Sequence, residues 1–149
     1  MSDLSKILLT SAATALGAVL CFVASQILGK LAIEPIQELK KLLGEIRYAL
    51  VFHAQAISTP VGNAEAEDEA AKALRKLACE LRSKVGAVPF YDTWATLSHG
   101  FLPVRNDSME ASKLLIGLSN SVHQINRSEN NPTRIAKIER LLGFEPMDE

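Results

Sequence analysis

Charged side chains stop at Lys6 and do not return until Lys30. The stretch between them is apolar apart from Thr10, Ser11, Thr14, Cys21, Ser25 and Gln26. As a helix, Ile7 to Leu28 covers roughly 33 Å, enough for a hydrocarbon core of about 30 Å. A cleaved secretion signal is the rival reading, because Val23-Ala24-Ser25 is a tolerable cleavage site. Against it, Asp3 partly cancels Lys6, and the apolar character continues through Ile27, Leu28, Leu31 and Ile33. A retained transmembrane helix over residues 1–33 is therefore expected, followed by a separate domain over residues 34–149.

Beyond the apolar run every periodic signal is helical. Ile36, Leu39, Leu43, Ile46, Leu50, His53 and Ile57 recur at alternating three and four residues, a heptad seam. Glu34-Pro35 opens this helix with proline in its first turn, and "ISTPVGN" closes it. "NAEAEDE" announces a second helix, with acids where the positive end of its dipole favours them. Its stripe is Leu74, Leu77, Leu81 and Val85, with Gly86 as C-terminal cap. A short helix is expected around Tyr91 to Leu97, with Phe90, Tyr91 and Trp94 plugging the core. A fourth helix starts near Asn106 or Asp107 and carries Ala111, Leu114, Leu115, Leu118 and Val122 on one face. The last opens at Asn131-Pro132, buries Ile135, Ile138 and Leu142, and stops at Gly143. No stretch alternates with period two long enough for a strand. The fold class is all-α: one N-terminal transmembrane helix followed by a small cytoplasmic helical bundle. Leu43, Leu50, Leu74, Leu81, Leu115, Leu118 and Ile138 are its expected core.

The apolar run is sorted around its axis. On a wheel of about 100° per residue, Ser11, Thr14, Ala18, Cys21, Ser25 and Gly29 share a band of about 80°. Leu9, Leu16, Leu20, Val23 and Ile27 occupy the other side. Small residues let helices approach closely in a membrane, so the band is a candidate helix–helix interface. Carried forward, the same azimuth meets Ile36, Leu39, Leu43 and Leu50 of the cytoplasmic seam, which also includes Ile46. One association surface is thus expected to run out of the membrane, with a kink or break at Pro35. The alternative is that the seam faces the protein's own other helices.

Composition narrows the rest. The 149 residues carry a formal net charge of -1 and only 5% aromatics. Neither a basic field nor a stacking surface points to nucleic acid, and none is expected as a partner. Only Lys6 precedes the span, whereas Lys30, Lys40, Lys41 and Arg47 follow it. The positive-inside rule then puts the C-terminal domain in the cytoplasm of a bacterial inner membrane. Cys21 and Cys79 are isolated, which suits a reducing compartment. His53, His99 and His123 lie on separate segments without a carboxylate or thiol at ligand spacing, so no metal and no cofactor is expected. Ser119 and His123, one turn apart, read as a solvated face.

In "GEIRYALVFHAQ", Arg47 and His53 are separated by five residues. That spacing resembles the Arg/His signature of HEPN nucleases, helical domains that pair to cut RNA. The resemblance implies an arginine that stabilises phosphoryl charge and a histidine acting as general acid or base. A buried, hydrogen-bonded histidine on the seam is the competing reading. "EPIQELKKLLGEI" with the "HA" after it, "ALRKLACELRSK" and "ASKLLIGLSNS" look like segments of a group of small bacterial single-span membrane proteins with helical cytoplasmic domains. That likeness implies the architecture and no activity. A looser similarity, in architecture and Arg47/His53 spacing, is to CRISPR-associated accessory membrane proteins that form pores in phage defence. The expected function is a non-enzymatic, membrane-anchored protein that assembles with itself or docks a membrane partner in the lipid bilayer. Its sharpest form is a pore-forming or membrane-perturbing effector. A membrane-tethered HEPN-like ribonuclease using Arg47 and His53 is the enzyme alternative.

Overall fold

The computed structural model describes residues 3–59, 63–98, 100–124 and 130–144. Seven α-helices account for most of them: α1 (Asp3–Leu28), α2 (Glu34–Phe52), α3 (Ala54–Ser58), α4 (Ala64–Ala87), α5 (Tyr91–Leu97), α6 (Arg105–Ser121) and α7 (Asn131–Leu142). Among the described residues there is no strand.

α1 and α2 form one continuous helical run from Asp3 to Phe52. Pro35 does not break it. Gly29–Ile33 widen into a π turn, closed by the Glu34 N–H donating to the Gly29 carbonyl, and proline then sits in the first turn of α2. A proline has no N–H to give to Leu31, and the wider turn absorbs that fault without ending the helix. The turn also adds one residue to the helical count, which rotates everything after it by about 100°. The straight azimuth from the small-residue band to the α2 seam is lost there.

The seam of α2 faces the chain's own helices. Leu39, Leu43, Ile46 and Leu50 are buried in one core with residues of α4, α6 and α7, and Ile36 is packed half-buried against it. Leu42 and Ala49 widen the stripe. These side chains are committed within the protomer, so they offer no surface to a second copy. All seven leucines and isoleucines expected at the centre are buried.

α4 lies at the middle, packed on α2, α3 and α6, and α6 in turn packs on α7. Cross-links between side chains show that these neighbours run antiparallel. Lys84 near the end of α4 pairs with Glu38 near the start of α2 at 2.7 Å. Ser112 of α6 donates to the Ala78 carbonyl at 2.9 Å, and Arg75 reaches Asn120 at 2.6 Å. The body therefore has two ends. The start of α2, the end of α4, α5 and the start of α6 gather toward α1. The end of α2, α3 and the start of α7 gather at the far end, where Asn131 donates to the Ile57 carbonyl at 2.8 Å.

Helix boundaries follow local chemistry. Asn63 caps α4 by accepting from the Ala66 N–H at 3.4 Å. Gly86 is not the C-terminal cap expected of it. The helix runs to Ala87, and Val88 turns extended (φ -77°, ψ 114°). Pro89 causes this, since the residue before a proline is driven out of the helical region. Gly143 is the cap at the end of α7, with φ 69°, and the Phe144 N–H folds back to the Glu139 carbonyl at 2.9 Å. His53 (φ -96°, ψ 13°) interrupts the seam helix between α2 and α3, yet Ile57 beyond it is still buried. The "PVG" of "ISTPVGN" lies outside the described residues.

The aromatic segment is divided between core and surface. Tyr91 is fully buried, and its hydroxyl donates to the Pro103 carbonyl at 2.7 Å. Burial pushes the phenol above its ordinary value. Trp94 packs half-buried on the core. Phe90, expected inside, is exposed and holds a left-handed backbone with φ 54°. That conformation costs about 1–2 kcal/mol for a residue with a Cβ.

Candidate membrane helix and the Arg47–His53 segment

α1 is long and apolar enough to cross a membrane, and none of its residues is buried by the rest of the chain. The first buried position in the described chain is Ala32, in the π turn. Before that level no described residue of the helix is buried. Ser11, Thr14, Ala18, Cys21 and Ser25 are exposed, and a Cβ at Gly29 would meet no atom within 4 Å.

Three hydroxyls of this helix are satisfied by its own backbone. Thr10 donates to the Lys6 carbonyl at 2.8 Å, Thr14 to the Thr10 carbonyl at 2.9 Å, and Ser25 to the Cys21 carbonyl at 2.8 Å. Such bonds to the preceding turn let a polar side chain sit in hydrocarbon without a partner. They shift the weight of any association from hydroxyl bonding to close packing over Ala18, Cys21 and Gly29. Both cysteines are free and exposed.

Arg47 is an exposed residue of α2, and His53 is the half-buried residue at that helix's end. Six residues of helix set them about 9 Å apart along the axis and about 120° apart around it. Within one protomer the two side chains thus leave the helix on different faces. The His53 ring packs edge-on to Phe52 with centroids 4.9 Å apart, and Phe52 stacks on Tyr48 at 5.4 Å. A cavity of about 310 Å³ opens beside this ring, lined by Phe52, His53, Ala56, Asn63 and Glu67 among others.

His123 is more engaged than a solvated face implies. Its Nδ1 lies 3.4 Å from Glu67 and its Nε2 lies 3.2 Å from Asp68. Glu67 is buried, so the histidine closes the far end of the α4–α6 interface over a carboxylate that water hardly reaches. Ser119 turns inward and donates to the Ile116 carbonyl at 2.8 Å. His99 lies outside the described residues. Among the described residues no group of three histidine, cysteine or acidic side chains is placed to hold a metal ion.

Three comparisons bear on relatives: against protein-family models, curated proteins and solved structures, the chain finds no match. The candidate site rests on its own chemistry.

Proposed function

We propose that this chain is a single-pass protein of the bacterial inner membrane, with residues 34–149 in the cytoplasm, and that it works by associating with further copies through α1. The observation that carries the reading is the unaccompanied, sorted helix. α1 is apolar from Ile7 to Leu28, and none of its residues is buried among the described residues. Ser11, Thr14, Ala18, Cys21 and Ser25 share one band with Gly29, opposite Leu9, Leu16, Leu20, Val23 and Ile27. The asymmetry of Lys6 against Lys30, Lys40, Lys41 and Arg47 supports the orientation. Since the α2 seam is spent on the protomer's own core, the association surface is confined to Thr14, Ala18, Cys21, Ser25 and Gly29, with Ser11 at its outer end. In the sharpest form of this function the assembly perturbs the membrane, and vesicles carrying the wild-type chain release trapped dye.

Mass measured on the detergent-solubilised full chain tests the association. Wild type runs as a multiple of the protomer, and Ala18→Leu reduces it to a single protomer while still inserting, because leucine keeps the span apolar. Leu16→Phe, on the opposite face, leaves the multiple unchanged. A wild-type mass of one protomer refutes the association. An equal response to Ala18→Leu and Leu16→Phe refutes the assigned face.

A further inference from the structure

The segment that joins α4 to α6 carries four large apolar side chains that the fold leaves in water. Phe90 is 83% exposed, Leu97 66%, Phe101 56% and Val104 55%. Their arrangement on α5 is ordered. Counting about 100° per residue along α5, Leu97 and Trp94 lie about 60° apart, and Phe90 precedes the helix on its left-handed turn. Tyr91, Trp94 and Ala95, which pack on the core, follow Leu97 around the helix, and Asp92, Thr93 and Thr96 hold the remaining arc. The core takes most of the apolar arc of this short helix and leaves Leu97 at its edge in water.

The position of this segment in the fold says what meets the other. It lies at the α1 end of the body, where α4 finishes and α6 begins. Lys40 ties it there by donating to the Phe101 carbonyl at 2.8 Å, with its ammonium 3.8 Å from the centre of the Phe101 ring. Lys40 is seven residues past Ile33, the last apolar residue before Glu34 in the same unbroken helical run, about 10 Å along the axis, and twelve residues past Leu28, about 18 Å. Side chains of a helix set out toward its N-terminus, which brings the Lys40 head and Phe101 nearer to α1 than that. The polar zone outside a hydrocarbon core is itself about 5–7 Å deep. Outside α1, the other large exposed aromatics among the described residues, Tyr48 and Phe52, stand at least fifteen residues past Ile33, more than about 22 Å away.

We infer that the rim formed by Phe90, Leu97, Phe101 and Val104 docks on the lipid surface from which α2 emerges, with these four side chains entering the headgroup zone. The inference rests on the reading of α1 as a membrane span. Exposed apolar side chains grouped on one rim, rather than scattered singly, mark a surface with a partner. The unbroken helix from α1 places this rim at the end of the body that faces the bilayer. Amphipathic segments seat their apolar face at this boundary, and Trp94 on the same face is of the type enriched there. Lys40 and Arg105 flank the patch with cations suited to anionic headgroups. Arg105 is held by Asp92 at 3.2 Å and lies over the Tyr91 ring. The body would then be held at two points, the span and the rim, and fixed in its tilt.

Trp94 is the single tryptophan of the chain, so fluorescence can read this contact. The full chain is reconstituted in vesicles of phosphatidylethanolamine and phosphatidylglycerol containing phosphatidylcholine brominated on its acyl chains, which quenches tryptophan it touches. On a Trp94→Phe background, single reporters are placed by Leu97→Trp, Phe101→Trp, Tyr48→Trp and Leu20→Trp, all exposed positions. Wild-type Trp94 serves as a fifth reporter that needs no substitution. The expected result is loss of emission at positions 20, 97 and 101, partial loss at 94, and none at 48. If position 20 is quenched while 97 and 101 behave like 48, the docking is wrong and the span stands. An unquenched position 20 removes the span and the docking with it. A blue shift at 97 and 101 without quenching shows protein covering the patch instead of lipid, which also overturns the inference.

Discussion

Asn131 of α7 bonds to both α3 and α6 through one short side chain. It is fully buried where α3, α6 and α7 meet. Its Nδ2 donates to the Ile57 carbonyl at 2.8 Å, and its Oδ1 accepts from the Ser121 hydroxyl at 2.8 Å and from Arg134 at 3.3 Å. Reversing the amide would set two acceptors against each other at Ile57, so its orientation follows from its partners. Asn131→Ala leaves the Ile57 carbonyl without that donor, at a cost of about 1–3 kcal/mol for a buried acceptor. Ser121 can fall back on the Leu118 carbonyl at 2.9 Å, so its loss is smaller, about 0.5–1.5 kcal/mol. Alanine is the better helix former by up to about 0.7 kcal/mol, which offsets part of this. The net expectation is a loss of about 2–3 kcal/mol. Urea unfolding of the full chain in mild detergent, followed by Trp94 emission, should show the midpoint falling by about 1–2 M with little change in slope. Ser121→Ala combined with Asn131→Ala should cost less than the sum of the two, because they share a bond. A midpoint shift of only a few tenths molar, or strict additivity, would show that this junction does not hold the three helices together.

Two further outcomes are expected. Leu118→Ala, at a fully buried position of α6, should cost about 2–5 kcal/mol in the same assay, and a cost below about 0.5 kcal/mol would remove α6 from the core. The hydrogen bond and charge of Lys84 hold the Glu38 carboxyl below its ordinary 4.5, and those of Lys137 do the same for Glu110. Folded values lowered in this way add stability above the unfolded value and lose it as pH falls through the folded one. Unfolding midpoints should therefore drop as pH falls below about 4.5, with a shallower drop for Glu38→Gln combined with Glu110→Gln. An unchanged acid slope in that double variant would show that these exposed pairs contribute nothing.

Along α1 and the core stripes, one-dimensional pattern was enough to place the elements. An uncharged run long enough to span a bilayer, leucines at three- and four-residue spacing, Pro132 near the start of a helix and Gly143 after its end all act through near neighbours. The chain's own order carries that information. Pattern alone tells which face is apolar and leaves open what covers it. The α2 seam looked equally suited to a second copy or to the protomer, and only the docking of α4 and α6 assigned Leu39, Leu43, Ile46 and Leu50 to the protomer's core. Phe90 carries the same hydrophobic signal as Tyr91. The Val88–Pro89 exit from α4 and a left-handed turn send one outward and the other inward. The π turn before Pro35 rotates two faces apart that a uniform 100° count had aligned. Polar partners were the least legible of all. His123 meets Glu67 across fifty-six positions and Asn131 meets Ile57 across seventy-four. A hydrogen bond is decided within a few tenths of an ångström, by how whole helices settle against each other, and no local spacing records that.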